Sequence, residues 1–470
     1  MPRWAVLALL AGCNRTSDIE AGLPWADCGD GFLCADFAHD GGDLSVAWHP
    51  GADPEAPIGF LGAGGPGGSS VSLTRSLVTV WGGSDPEMWL DKGWIGLDNR
   101  GTGGSDPIDC VDAAWFDALR AHEPVPRDDA EAAALAASRD AFQDGCLSDR
   151  DADGLAQLGT PQHVADLHAL ADALALDTFD FMGFSYGTWL AAVFAAEHPD
   201  RVGRFVLDGV VGPEQQRQMF LLEQAEGFEL ALERFFERCA EDVACPIRED
   251  PAGVYDRLLA AAALAPLPAP SDPDGRALTH NDLRWAITNL LYGPDDENIA
   301  LGLAEADAGD AALLLAAADA GYGRDPVTGE YDPLLQRYWA IGCLDMPWPA
   351  DWTDDDVFAF GADLDALFPR VGSTLLTGEL SCLGWPVQAD PVSVDAAGSP
   401  PMLLVNGAND PATPLSSAID LRAALGNGSA LLTFEGDGHV ALFTDGSGCT
   451  YLAEREFVLS GILEDGAVCP

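Results

Sequence analysis

The sequence predicts an α/β fold in which a mostly parallel central sheet is flanked by helices and interrupted by an inserted helical cap. Three observations predict it. Short apolar strand patterns alternate with helical patterns in residues 28–212. From residue 213 a long helical segment, rich in alanine and leucine, replaces this alternation. Residues 402–406 then restore the succession of strand and helix.

The elements follow in chain order. Residues 28–49 alternate apolar and polar positions and predict an opening antiparallel hairpin. Thr160 and Pro161 predict a helix start, with threonine as N-cap and proline at the first helical position. Further strands are predicted at residues 58–61, 94–97, 179–184, 204–211, 402–406 and 430–434. Further helices are predicted at residues 109–149, 160–176, 189–198, 214–239, 282–291, 416–425 and 452–463, and residues 300–320 are rich in alanine and leucine.

The composition is strongly acidic. The chain has 470 residues with 48% hydrophobic content, and its net charge is −53, with Lys92 as its only lysine. Such a surface repels nucleic acid, so the composition argues against a nucleic-acid-binding role. Acidic excess is found in salt-adapted proteins, but a high-GC coding bias also gives much Ala, Gly, Asp and Arg with little Lys. Both explanations stay open.

The N-terminus resembles a bacterial lipoprotein signal. Residues 1–12 combine a basic start with a short apolar run that is too short to span a bilayer, and Cys13 follows directly. We expect cleavage before Cys13, lipidation of that cysteine and a tether over residues 13–27. The expected product is an exported lipoprotein of the bacterial cell envelope, periplasmic or at the cell surface, whose lipid is its membrane contact. An ordinary secretory signal is the alternative.

The cysteine count agrees with export. Of 11 cysteines, ten remain if Cys13 is lipidated, and an exported chain meets an oxidising compartment. The simplest of the open connectivities joins near neighbours: Cys28–Cys34, Cys110–Cys146, Cys239–Cys245, Cys343–Cys382 and Cys449–Cys469. The cysteines and histidines form no metal-binding motif, so we expect no metal and no cofactor.

Two glycine-rich turns follow predicted strands. Residues 62–69 read Gly-Ala-Gly-Gly-Pro-Gly-Gly-Ser, which suits a loop that presents backbone N–H groups. Residues 183–187 read Gly-Phe-Ser-Tyr-Gly between a buried strand and an apolar helix. A serine in this context is typical of a nucleophile elbow, in which small neighbours permit a strained turn.

A base and an acid for this serine follow in the chain order Ser185, Asp410, His439. Each of the three lies just after a predicted strand, so the three side chains meet at one edge of a parallel sheet. Asp437 is an alternative acid, although its turn would have to bend back onto His439. We expect the backbone N–H groups of Tyr186 and Gly65 to form an oxyanion hole.

Motifs along nearly the whole chain from residue 28 resemble the prolyl iminopeptidase and tripeptidyl aminopeptidase group of α/β-hydrolases. The similarity is strongest to exported tripeptidyl aminopeptidases of the actinobacterial type. One departure is Ala63, where prolyl iminopeptidases usually have histidine before Gly-Gly-Pro-Gly. The motifs lie at residues 64–67, 98–105, 183–188, 207–210, 340–345, 382–386, 410–414 and 438–439, and in the closing segment 449–469.

The resemblance implies an α/β-hydrolase fold whose core spans residues 28–212 and 351–470 around a helical cap at 213–350. It also implies an aminopeptidase that releases short peptides or single residues from peptide substrates with a free N-terminus. Such an enzyme must bind a cationic α-amine, for which Glu223, Glu226 and Asp345 are candidates. A carboxylesterase or lactone hydrolase with the same triad is one alternative, and a catalytically inactive binding lipoprotein is another.

Overall fold

A computed structural model describes residues 15–40, 42–53, 56–213 and 216–470. The lipoprotein signal and Cys13 lie outside these residues. The strands of the described chain, in order, are β1 Ala26–Gly29, β2 Phe32–His39, β3 Gly42–His49, β4 Gly59–Gly62, β5 Trp94–Leu97, β6 Phe179–Phe184, β7 Val202–Asp208, β8 Leu267–Pro268, β9 Ala277–Leu278, β10 Leu403–Asn409, β11 Ala430–Asp437 and β12 Val468–Cys469.

Ten of these strands form one sheet in the order β1-β2-β3-β5-β4-β6-β7-β10-β11-β12. At one end of the sheet the strands pair antiparallel: β1 with β2, β2 with β3, and β3 with β5. Every pairing from β5 to β12 is parallel. The predicted fold class is therefore confirmed, and β6 lies in the middle of the sheet, where all six of its residues are buried.

Helices cover the sheet and form the insertion. The described helices are α1 Arg15–Gly22, α2 Ser70–Trp81, α3 Ala113–Arg120, α4 Asp129–Asp149, α5 Ala152–Ala156, α6 Thr160–Ala173, α7 Tyr186–Glu197, α8 Arg217–Glu241, α9 Pro251–Ala262, α10 His280–Tyr292, α11 Asp296–Asp307, α12 Ala312–Tyr322, α13 Leu334–Asp345, α14 Asp354–Leu367, α15 Leu415–Leu425, α16 Ala441–Thr444 and α17 Cys449–Ser460. Shorter helical turns lie at Glu87–Asp91, Pro199–Arg201, Gly372–Leu376 and Glu379–Cys382.

The helical segment between β7 and β10 has a hydrophobic core of its own. Phe228, Phe235, Tyr255, Ile287 and Leu314 are among its fully buried side chains. Helix α14 and the turns after it continue this segment beyond residue 350, and the sheet resumes at β10. Residues of α13 and α14, such as Ile341 and Leu364, pack instead into the larger core that includes the sheet.

Two helix predictions need correction. The helix predicted at residues 109–149 is two helices, α3 and α4, because Pro124 and Pro126 lie between them and proline disrupts a helix interior. Thr160 is not the N-cap of α6: Gly159 occupies that position and Thr160 is the first helical residue. The Thr160 hydroxyl instead contacts Tyr186 and Asp345.

Five disulfides join the described cysteines, and they are the five near-neighbour pairs that the spacing suggested. Each closes a short loop within one region of the fold rather than linking the sheet to the insertion. The pairs are Cys28–Cys34, Cys110–Cys146, Cys239–Cys245, Cys343–Cys382 and Cys449–Cys469. No helix in the described part of the chain has the length and apolar character needed to cross a membrane.

A buried ion pair fixes the start of β6. Lys92 and Asp180 are 2% and 4% exposed, and Lys92 Nζ donates to Asp180 Oδ2 over 2.6 Å and to the Pro57 carbonyl over 2.5 Å. The other carboxylate oxygen of Asp180 accepts from the Arg204 N–H on β7. Lys92, the only lysine of the chain, thus ties β6 to the segment before β4, and Asp180 ties β6 to β7.

We expect Lys92→Met to lower the free energy of unfolding by about 3–5 kcal/mol, because it leaves the Asp180 charge buried without its cation. Urea denaturation followed by circular dichroism measures this. The double variant Lys92→Met/Asp180→Asn removes both charges and should regain part of the loss. A single variant as stable as the double variant would contradict this account.

Candidate active site

Ser185 lies at a sharp turn between β6 and α7. Its backbone has φ 54° and ψ −118°, a strained conformation for a residue with a side chain. The flanking glycines are required sterically. A Cβ at Gly183 would lie 2.4 Å from the Gly187 carbonyl oxygen, and one at Gly187 would lie 2.4 Å from that of Gly62. Strand, turn and helix therefore meet as the Gly-x-Ser-x-Gly pattern predicts.

The glycine-rich loop after β4 lies against this serine. A Cβ at Gly64 would come within 3.0 Å of the Ser185 Cβ. Gly65, at φ +116°, lines the same cavity as Ser185 and Tyr186. Asp98 supports the loop: one of its oxygens accepts from Val71 N–H and the Ser69 hydroxyl, over 2.9 and 2.8 Å. Asp98 opens the motif at residues 98–105, but the sequence did not predict this contact.

Asp410 and His439 meet beyond the ends of β10 and β11. His439 Nδ1 is 2.8 Å from Asp410 Oδ2. The carboxylate is 2% exposed, and its Oδ1 accepts from the N–H groups of Ala412 and Thr413 over 2.9 Å each. The Thr413 hydroxyl donates to Oδ2 over 3.1 Å. These donors fix the carboxylate beside the imidazole.

Asp437, the alternative acid, faces away from this pair. Its two carboxylate oxygens accept from Arg234 Nε and Arg238 Nη1, over 2.6 Å each. Both arginines belong to α8, so Asp437 ties the insertion to the sheet. Among the described residues it is Asp410, and not Asp437, that contacts the His439 ring.

The insertion also holds the backbone of His439. The His439 N–H donates to the carbonyl of Tyr292, the last residue of α10, over 2.7 Å. Burial disfavours the imidazolium, but the charge and hydrogen bond of Asp410, with the charge of Asp208, raise the pKa of His439 above its ordinary value. The imidazole is thereby a stronger base than a free histidine.

Tyr186, the residue after the serine, is anchored in a buried polar network. Its hydroxyl lies 2.7 Å from Thr160 Oγ1 and 3.1 Å from His163 Nδ1, and it donates to Asp345 over 3.3 Å. Burial lowers the pKa of His163 to about 3 and raises that of Asp345 to about 6. No local pattern could have linked these residues, because α6, α7 and α13 bring them together.

Two cavities adjoin Ser185, one of about 60 Å³ and one of about 650 Å³. Both are lined by Ser185, His439 and Gly65, and both lie under the helical insertion. Aromatic side chains such as Trp285 and Tyr338 line the larger one. Its volume is in the range of small-ligand sites.

The three acids considered for amine binding lie in different places. Glu226 is exposed on α8, whereas Glu223 is partly buried and accepts from the Ser417 hydroxyl over 3.4 Å. Asp345 lines the smaller cavity. The sequence did not single out Glu379, a buried carboxylate that lines the larger cavity and is ion-paired with Arg217.

The part of the chain that the structure describes contains no set of ligands for a metal ion. No three histidine, cysteine, aspartate or glutamate side chains cluster there in a way that could hold a metal ion. Cys13, the predicted lipidation site, lies outside the described residues.

Comparison with known proteins agrees with this geometry. A family profile described as the α/β hydrolase fold matches residues 91–446, which is more than half of the chain. The chain belongs to the α/β-hydrolase family. Its resemblance to the tripeptidyl aminopeptidase group is confirmed as well, because curated members of that group are among its relatives.

Three relatives show the range of named activities. "Serine protease Hip1" of Mycobacterium tuberculosis is 30% identical over 97% of this chain and 89% of its own length. "Tripeptidyl aminopeptidase" of Streptomyces coelicolor is 30% identical over 79% of this chain and 68% of its own. "Carboxylesterase B" of M. tuberculosis is 29% identical over 95% and 86%. These relatives support hydrolase activity for this chain.

The raised pKa of His439 can be measured directly. We expect its ring to titrate above pH 6.5, since Asp410 stabilises the imidazolium. NMR of protein with isotopically labelled histidine measures this titration, and the His439→Gln variant assigns the resonance. Asp410→Asn removes the charge and should lower the midpoint. A midpoint at or below 6.5 in the unaltered protein would contradict the electrostatic argument.

Proposed function

We propose that this protein is a serine aminopeptidase that releases tripeptides, other short peptides or single residues from free N-termini through an acyl-enzyme. The observation that carries the proposal is the hydrogen-bonded pair of Asp410 and His439, which opens into the same cavity as a serine held in a strained elbow. A hydroxyl needs such a base to attack a carbonyl, and the base needs an orienting acid.

In the proposed mechanism His439 Nε2 takes the proton of Ser185 as its Oγ attacks the substrate carbonyl. Asp410 holds the Nδ1–H of the imidazole and stabilises its charged form. His439 then gives the proton to the leaving amine, and water hydrolyses the acyl-enzyme by the same route. The neutral imidazole is the active form, so activity should fall as the pH drops through the raised pKa of His439.

We assign the oxyanion hole to the backbone N–H groups of Gly65 and Tyr186. Both residues line the smaller cavity together with Ser185. The buried network around the Tyr186 hydroxyl holds this residue in place, and Asp98 holds the loop that carries Gly65. Losing one such donor typically costs about 3–4 kcal/mol of transition-state stabilisation.

The aminopeptidase assignment has two supports. Two relatives at 30% identity, aligned over 89% and 68% of their own length, carry the names serine protease and tripeptidyl aminopeptidase. The helical insertion covers the serine and restricts access to a cavity of about 650 Å³, which favours a short segment over an internal stretch of chain. For the cationic α-amine, Asp345 and Glu379 are the carboxylates that line the two cavities.

A carboxylesterase is the second candidate. A relative of that name is 29% identical over 95% of this chain, and the larger cavity has several apolar walls. The same triad can serve both reactions, since fold and triad do not select the acyl substrate.

The deciding experiment compares tripeptidyl and aminoacyl arylamides with short-chain aryl esters, and free with N-terminally blocked peptides. We expect cleavage of arylamides with a free amine and little cleavage of blocked peptides, because blocking removes the positive charge that a carboxylate of the site would bind. Cleavage of esters alone would instead favour the carboxylesterase, and equal cleavage of free and blocked peptides would exclude an aminopeptidase.

Ser185→Ala is the matched control for every substrate. It should abolish turnover and labelling by a fluorophosphonate probe while leaving the circular dichroism spectrum unchanged. If the folded, unaltered protein were not labelled at Ser185, the catalytic proposal would fail in favour of a binding role.

We also propose that the protein is exported and anchored through a lipid on Cys13. Five disulfides are compatible with an oxidising compartment. Expression in a bacterium fed a labelled fatty acid tests this: the membrane fraction should contain labelled protein, and Cys13→Ala should abolish both label and membrane retention. Labelling that persists in the variant would refute the assignment.

A further inference from the structure

We propose that Asp208 and Glu454 form a buried carboxyl pair that shares one proton and positions the turn carrying His439. They would act as positioning residues for the acyl transfer proposed above, on which this inference rests. Neither residue is one of the three side chains assigned to the reaction, and neither lines the two cavities next to Ser185.

Asp208 joins the two turns that must stay in register. At the end of β7, its carbonyl accepts from the Ser185 N–H over 3.0 Å. Its carboxylate accepts from the N–H groups of Ala441 and Leu442, over 2.9 and 2.7 Å. These two groups open α16, directly after His439 and Val440. One residue thus connects the turn of the serine to the turn of the histidine.

The histidine turn needs such support. Val440 has φ 66° and ψ 103°, a conformation that is costly for a β-branched residue. A strained turn persists only when its surroundings hold it, and Asp208 supplies two charge-assisted hydrogen bonds immediately after the strained residue.

Glu454 lies behind Asp208 on α17 and is 0% exposed. Neither of its two carboxyl oxygens accepts a hydrogen bond from a described donor, and its carboxyl group lies against that of Asp208. A hydrogen bond between two carboxyl groups requires a proton on one of them. Two ionised carboxylates in contact and shielded from water would repel each other strongly.

The contacts place this proton on Glu454. Burial raises the pKa of Asp208 to about 7, but its carboxylate accepts two backbone N–H bonds that favour its ionised form, whereas Glu454 has no such donor. Burial, and then the charge of Asp208, raise the pKa of Glu454 well above its usual range. Glu454 therefore donates a hydrogen bond to Asp208. Asp208 in turn accepts the two N–H groups that hold the histidine turn.

Three other titratable groups surround the pair. Asp410, after β10, adds negative charge next to Asp208, and His439, after β11, offsets part of it. Asp445, after α16, adds negative charge next to Glu454. Loss of the shared proton would thus add negative charge to a site that already has two acidic neighbours, Asp410 and Asp445. We expect the turn to shift and Ser185 to lose its base.

The test measures the rate at which a fluorophosphonate labels Ser185, across pH. The probe has no amine, so titration of a substrate α-amine does not enter. In the unaltered protein we expect the labelling rate to rise with pH as His439 loses its proton. At alkaline pH the rate should fall reversibly as the carboxyl pair loses its shared proton. Glu454→Gln keeps a permanent donor to Asp208, so the alkaline fall should disappear.

Matched variants separate positioning from stability. Glu456→Gln changes an exposed residue of the same helix and should keep the alkaline fall. Asp208→Asn leaves a single acceptor oxygen for two N–H groups and should lower the labelling rate about 100-fold, as expected for a misplaced base. If Asp208→Asn does not fold by circular dichroism, the profile of Glu454→Gln decides.

The outcomes distinguish the two proposals. An alkaline fall that persists in Glu454→Gln, or one absent from the unaltered protein, would overturn the carboxyl pair and leave the serine mechanism standing. No labelling of the unaltered protein at any pH would overturn the serine mechanism, and the pair's role with it.

Discussion

The strained backbone of Ser185 is the constraint on which the rest of the site depends. A backbone φ of 54° costs a residue other than glycine of order 1–3 kcal/mol, so the surroundings must hold Ser185 in this conformation. The Asp208 carbonyl accepts its N–H, and its own carbonyl accepts from the backbone and hydroxyl of Thr188. Gly183 and Gly187 allow strand and helix to approach closely enough for these bonds. The central strand and its neighbour thus present the hydroxyl at the sheet edge.

The helical insertion is part of the site as well as a cover for it. Tyr292 on α10 accepts the backbone N–H of His439, and two arginines of α8 hold Asp437 away from the imidazole. Asp345 on α13 contacts the hydroxyl of Tyr186. A change in how the insertion packs would therefore alter both the base and the proposed oxyanion hole, so that access and chemistry are coupled through the same contacts.

Much of this could be predicted because it depends on local pattern. Strand β6 and the elbow follow from a buried apolar run and two glycines, and the five disulfides match the simplest of the pairings that the cysteine spacing left open. Thr160 shows where local reasoning fails: threonine before proline suits an N-cap, yet its hydroxyl bonds to residues that lie far away in the chain. A buried polar partner can outweigh a capping preference, and no window of sequence contains that partner.

The sequence by itself determined the fold class, the chain order of Ser185, Asp410 and His439, and the glycines that the turn requires, because each depends on chain periodicity or on backbone sterics. Only the tertiary structure decided which acid meets His439, which carboxylates line the cavities and which are buried in contact, as Asp208 and Glu454 are. With 76 acidic residues in the chain, composition could not distinguish among them. Burial and hydrogen-bond partners do so, and both arise from contacts between elements distant in sequence.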